Sequence, residues 1–89
     1  MWVAPKEHKI IGAQLATVRK RAGVTQQELA RRLRKPQSFV SAYENGQRRL
    51  DLLELSRVAQ ALQADPQVIC SSILKAVVGK TARRERAVR

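Results

Sequence analysis

Between Pro36 and Gln47 the chain carries short polar side chains at helical spacing, Gln37, Ser38 and Ser41, together with the methyl of Ala42. Amides and hydroxyls of this size exchange hydrogen bonds with the donor and acceptor edges of nucleobases, and a methyl can meet that of thymine, in a groove wide enough for a helix. Within this segment the only ionisable group other than Tyr43 is Glu44, whereas Arg34 and Lys35 stand just before it and Arg48 and Arg49 just after. Phosphates carry charge but no sequence, and base edges carry sequence. The arrangement therefore reads as two cationic brackets for the walls of a groove, with Gln37, Ser38, Ser41 and Ala42 between them for the bases. Gln37 is foremost, because its amide can bond adenine bidentately, a contact that discriminates by ~1–3 kcal/mol. The alternative is that Gln37 caps its own helix or bonds a phosphate, and Ala42 reads equally as an ordinary surface alanine. No Lys or Arg belongs to the segment, which removes the commonest guanine contact. A target rich in A·T at its contacted positions is expected, with part of the specificity carried by DNA shape.

Such a segment needs a frame. Thr25 precedes Glu28 by the capping-box spacing, in which a hydroxyl accepts from the backbone three residues on and the carboxylate reaches back, so a helix starts at Gln26. Its apolar residues Leu29, Ala30 and Leu33 form one stripe, and Ala30 is small enough for another helix to cross closely. Arg34 and Lys35 make a turn, and Pro36 supplies a preset φ at a first helical position. The next helix runs from Gln37, with Val40 and Tyr43 on its apolar stripe, until Asn45 and Gly46, which tolerate the left-handed conformation of a helix end.

In these motifs the chain resembles the phage-repressor and Cro-like, or XRE-type, helix-turn-helix regulators. The matching residues are Leu15, Val18 and Arg19, then Thr25-Gln26-Gln27-Glu28-Leu29-Ala30, then Ser41-Ala42-Tyr43-Glu44-Asn45-Gly46, and last Leu55 to Leu62. The resemblance spans about Ile10 to Ile69. It implies an all-α, five-helix, lambda-repressor-like DNA-binding domain whose second and third helices form the helix-turn-helix. It further implies that Gln26 and Thr25, at a helix N-terminus, and Asn45 contact phosphates, and that Arg19 and Glu44 form an internal ion pair. Phe39 departs from the family pattern, which often has a small or polar residue near the DNA backbone there. Its ring either packs on a sugar or thymine methyl, or belongs to the core. Arg31 and Arg32 read as a solvated face as readily as anything else.

The remaining elements follow from periodicity. Ile11, Leu15, Val18 and Ala22 recur at i, i+4, i+7 and i+11, an amphipathic first helix from about Glu7 to Ala22, which Gly23 stops. Asp51 is the expected N-cap of a fourth helix with Leu55, Val58, Ala59 and Leu62. Asp65-Pro66 opens a fifth of about three turns, with Ile69, Ile73 and Val77.

Eighty-nine residues make one domain, with a core so small that helices must pack economically or subunits pair. The net charge of +11 is the electrostatic footprint of a polyanion partner. Residues 1–74 hold twelve Lys and Arg against six Asp and Glu, and residues 75–89 hold six against one. The chain is thus divided into a DNA-binding domain, 1–78, and a basic tail, 79–89, expected to be unstructured, either a solubilising end or an arm that adds phosphate contacts. Met1 to Pro5 lack the apolar core of a signal peptide, and one cysteine, Cys70, cannot form an internal disulfide. A soluble cytoplasmic protein at the nucleoid is expected.

The partners expected are double-stranded DNA and a second copy of the chain, binding two half-sites about one helical turn apart, with no membrane. Val68, Ile69, Ile73 and Val77 of the fifth helix are the candidate dimer surface, unless they only complete the core. Restriction-modification controllers and antitoxins that repress their own operons fall in the same class. An RNA- or protein-binding scaffold is the competing class, disfavoured by few aromatics for stacking and by A-form grooves that exclude a helix. Catalysis is not expected. His8 and Cys70 are the single histidine and thiol, with no paired carboxylates, metal-ligand spacing or glycine-rich phosphate loop. No cofactor or metal is expected.

Overall fold

A computed structural model describes residues 6–88, with side chains as far as Gly79. The leader reading of residues 1–5 lies outside the described residues. Those described form five helices and no strand: α1 Lys6–Arg21, α2 Gln26–Leu33, α3 Gln37–Glu44, α4 Leu52–Ala61 and α5 Pro66–Val88. No helix among them is long and apolar enough to cross a membrane.

Local chemistry sets most of the boundaries. Thr25 caps α2 by accepting from the Glu28 N–H at 3.0 Å. The return half of the expected box is missing, because the Glu28 carboxylate pairs with Arg31 and Arg32 instead. The complete capping box lies at α4, where Asp51 accepts from the Glu54 N–H at 2.7 Å and Glu54 accepts from the Asp51 N–H at 3.0 Å. Pro36 precedes α3 as its N-cap in extended conformation and is not its first residue. At the far end Gly46 alone takes the left-handed conformation, φ 76, while Asn45 stays right-handed. The Gln47 and Gly46 N–H groups then close back onto the Ala42 and Tyr43 carbonyls, the paired bonds of a Schellman end.

The core is built from Leu15, Val24, Leu29, Ala30, Val40, Tyr43, Val58, Ala59, Leu62, Ile69 and Ile73. α1 packs on α3 and α5, α2 on α3 and α4, and α4 on α5, so α3 is held from two sides. Ala22 falls outside α1 and is exposed, and Val24 takes its place in the core. Two residues of the candidate dimer surface, Ile69 and Ile73, are buried core, whereas Val68 is exposed with Leu74 and Val78. α5 is much longer than three turns, and its backbone stays helical through 79–88 where an unstructured tail was expected. Ala, Arg and Glu in that stretch are strong helix formers, so propensity continues a helix whose apolar stripe has already ended.

α1 and α3 approach so closely that a side chain between them is excluded. A Cβ on Gly12 would stand 2.3 Å from the Tyr43 carbonyl oxygen and 2.4 Å from that of Glu44. Backbone at a helix end cannot yield cheaply, so Gly12→Ala is expected to cost about 3 kcal/mol or more. Thermal unfolding monitored by circular dichroism should show a fall of about 10 °C or more. An unchanged midpoint would show that the two helices are free to separate.

Candidate nucleic-acid interface

The periodicity of α1 turns Arg19 inward, against the C-terminal turn of α3. Its Nε donates to Glu44 Oε2 at 2.7 Å, its Nη2 to Glu44 Oε1 at 3.1 Å and its Nη1 to the Val24 carbonyl at 2.8 Å. The two side chains are only 9% and 5% exposed. The hydrogen bonds to Glu44 hold the Arg19 pKa above its ordinary value, outweighing burial, which acts the other way. Tyr43, beside them, has its phenol pKa pushed up chiefly by burial.

The buried pair is the inner end of a chain of contacts. Gln26 Nε2 donates to Glu44 Oε1 at 2.8 Å, and Gln26 Oε1 in turn accepts from Gln37 Nε2 at 3.4 Å. Gln37 therefore does not cap its own helix; its amide is aligned by Gln26, which is aligned by Glu44. Gln37 and Ser38 are exposed, Ser41 and Ala42 half-buried, and Asn45 Nδ2 donates to Ser41 Oγ at 3.4 Å. Thr25, Lys35 and Gln37 line one open groove together with Gln27. Of the sequence-derived candidates, Thr25, Lys35 and Gln37 thus share this groove, with Gln26 joined to it through Gln37.

The brackets are less alike than the sequence suggests. Arg34 and Lys35 are exposed in the turn, and Arg34 holds a left-handed conformation at φ 58. Arg48 is bound by Glu54, Nη2 to Oε2 at 2.8 Å and Nη1 to Oε1 at 3.1 Å, and its guanidinium carbon lies 4.6 Å from the Phe39 ring centroid. Glu54 is held below the usual carboxylate range by Arg48 first and by the Asp51 N–H second. Lys35 Nζ lies 5.6 Å from the same ring. Phe39 is half-buried, packing on the core and edge-on against Tyr43 at 5.6 Å. Sequence reasoning overlooked Glu54, although Asp51 and Glu54 have the capping-box spacing that places it. It also left Arg32 undecided, whose Nη1 donates to the Ala61 carbonyl at 2.8 Å and ties α2 to the end of α4.

Two short helices joined by a tight turn, the second presenting polar side chains between cations, define a DNA-binding regulator. The chain belongs to the helix-turn-helix family, whose profile matches residues 15–69, and its type is that of the XRE regulators. Among solved structures it is similar to the clp gene regulator ClgR from Corynebacterium glutamicum, at 26% identity and a TM-score of 0.77 over 96% of this chain and 90% of that one. It is also similar to an XRE-family-like protein from Pseudomonas syringae pv. tomato, at 40% identity and 0.68 over 75% and 82%. The restriction-modification controller C.AhdI from Aeromonas hydrophila matches at 28% identity and 0.68 over 73% and 98%. A search of curated protein sequences finds no match.

Three variants probe this geometry. Glu44→Ala strands the Arg19 charge and should cost ~3–5 kcal/mol, while the paired replacement Arg19→Met with Glu44→Leu should cost clearly less. Equal losses in chemical denaturation would show that no charge is stranded. Arg34→Gly relieves a left-handed non-glycine residue, which should raise stability by about 1 kcal/mol while weakening duplex binding. A loss of stability would show that the arginine is held there by contacts, and unchanged binding would remove Arg34 from the interface.

Proposed function

We propose that this regulator is a repressor that binds as a dimer to a pseudo-palindromic operator, with α3 in the major groove. The single observation that carries this reading is the line of contacts Arg19–Glu44–Gln26–Gln37, which brings an exposed amide to the first turn of α3 between two sets of cations. Residues at the N-terminal end of such a helix meet base edges. Gln37, Ser38, Ser41 and Ala42 face the bases in this reading. Gln26, Thr25, Arg34, Lys35, Phe39, Asn45, Arg48 and Arg49 position the sugar-phosphate walls. In this reading Gln26 does both jobs, orienting Gln37 while bonding a phosphate from the start of α2.

Pairing of subunits is supported by the exposed apolar residues of α5, Val68, Leu74 and Val78, more than half exposed in the single chain. The basic segment 79–89 adds phosphate contacts that carry no sequence. The protein acts in the cytoplasm by occupying DNA and not by catalysis. A controller of a restriction-modification operon is a specific variant compatible with the similarity to C.AhdI, as a regulator of another kind is with that to ClgR.

Selection from a random duplex library at about 0.15 M salt, where purely electrostatic binding is weakened, should enrich two A·T-rich half-sites ~10 bp apart. Gln37→Ala should then relax the preference at one position per half-site, at a cost of ~1–3 kcal/mol. Invariant G·C at the contacted positions would overturn the assignment of Gln37 and Ala42. Absence of any enriched sequence, with RNA of equal length competing as well as duplex, would make the fold a scaffold for another partner.

A further inference from the structure

Arg48 lies in the loop between α3 and α4 with its side chain 41% exposed, and most of its donors are committed. Nη1 donates to Glu54 Oε1 at 3.1 Å and to the Arg49 carbonyl at 2.7 Å, and Nη2 donates to Glu54 Oε2 at 2.8 Å. A guanidinium has five N–H donors in one plane. These three bonds leave two: the Nε hydrogen and the second hydrogen of Nη2. Both lie on the same edge of the group, the side-on fork that matches two oxygens of a phosphate.

The orientation of that edge is fixed from several directions. The guanidinium carbon stands 4.6 Å from the centroid of Phe39, and Phe39 rests edge-on against the buried ring of Tyr43. Glu54 is itself immobilised, since its Oε1 also accepts from the Asp51 N–H at 3.0 Å while its own N–H donates to Asp51. Lys35 Nζ lies 5.6 Å from the Phe39 centroid, so cations from before and after α3 meet at one ring.

We propose that Phe39 and Glu54 are positioning residues for DNA binding, which hold Arg48 so that its Nε–Nη2 edge clamps one backbone phosphate, with Lys35 adding a second charge beside it. The proposal rests on the DNA-facing reading of α3 given above. It means that a carboxylate strengthens the binding of a polyanion. The ordering of a long side chain is completed at folding, so less is lost when the phosphate arrives. An arginine left loose in the same loop would supply the same charge without the same geometry.

Glu54→Gln decides the matter, because glutamine also serves at this capping-box position and the change removes a negative charge from the DNA side. If Glu54 only offsets Arg48, the substitution tightens binding to the selected duplex. Pre-organisation requires the opposite, a loss of about three- to tenfold at about 0.15 M salt, with the thermal midpoint held. Arg48→Lys, which keeps the charge and loses the fork, should weaken binding nearly as much as Arg48→Ala. Phe39→Leu should weaken it and Phe39→Tyr restore it. Base preference should be unaltered throughout, since phosphate contacts carry no sequence. Tighter or unchanged binding by Glu54→Gln, or Arg48→Lys binding as the wild type does, overturns the proposal and leaves the interface standing. A wild-type protein with no preference for duplex over RNA of equal length overturns both.

Discussion

The fold is organised around one buried ion pair. Arg19 and Glu44 sit where α1, the loop carrying Val24 and the end of α3 meet, and every oxygen of the carboxylate is engaged. A buried pair of this kind adds little net stability, because desolvation consumes most of the Coulomb gain, yet it punishes any arrangement that leaves one partner alone. In a chain of 89 residues with a small aliphatic core, that penalty is a large share of the total. The pair therefore acts as a registry device: α3 cannot slide or rotate against α1 without leaving one charge unpaired. The same carboxylate aligns Gln26, so the register of the core extends to the outermost amide.

Packing works to the same end. Gly12 lets the backbones of α1 and α3 touch, and Gly46 turns the chain with its α-carbon tight against Lys9, where an added Cβ would lie 2.8 Å from the Lys9 backbone. Each of these positions combines close approach with a fixed direction of the chain. The α3 helix is thus anchored by backbone contacts on its inner side. Its outer side is left free of structural duty, a division that suits a surface whose precision matters more than its mass.

Much of this was legible in the sequence. Five apolar stripes of period 3.6 identify five helices, and Thr25, Asp51 and Asp65 mark three of their starts, because capping and amphipathicity are local. The matched motifs pointed to the Arg19–Glu44 pair, though nothing in spacing alone says that residues 25 apart touch. What was not legible depended on competition between partners. Glu28 had a choice between the Thr25 N–H and two arginines on its own helix, and took the arginines. Ile69 and Ile73 could have faced a second subunit, but a one-dimensional stripe does not say whether the surface it meets belongs to the same chain. Arg48 and Arg49 looked like equivalent cations until the capping box of α4 brought Glu54 to one of them. The length of α5 escaped because periodicity registers where a helix is buried and is silent once it extends past its support.

The contrast between the two ends of α3 bears on how such proteins diversify. Glu44 is fixed by three hydrogen bonds from two side chains, Arg19 and Gln26, while Gln37 and Ser38, two turns earlier in the same helix, are exposed. Substitutions at the first turn can accumulate in a lineage with little thermodynamic penalty, each intermediate remaining folded, while the last turn is frozen. A single eight-residue helix thus carries two unequal constraints on stability, tight at its last turn and loose at its first.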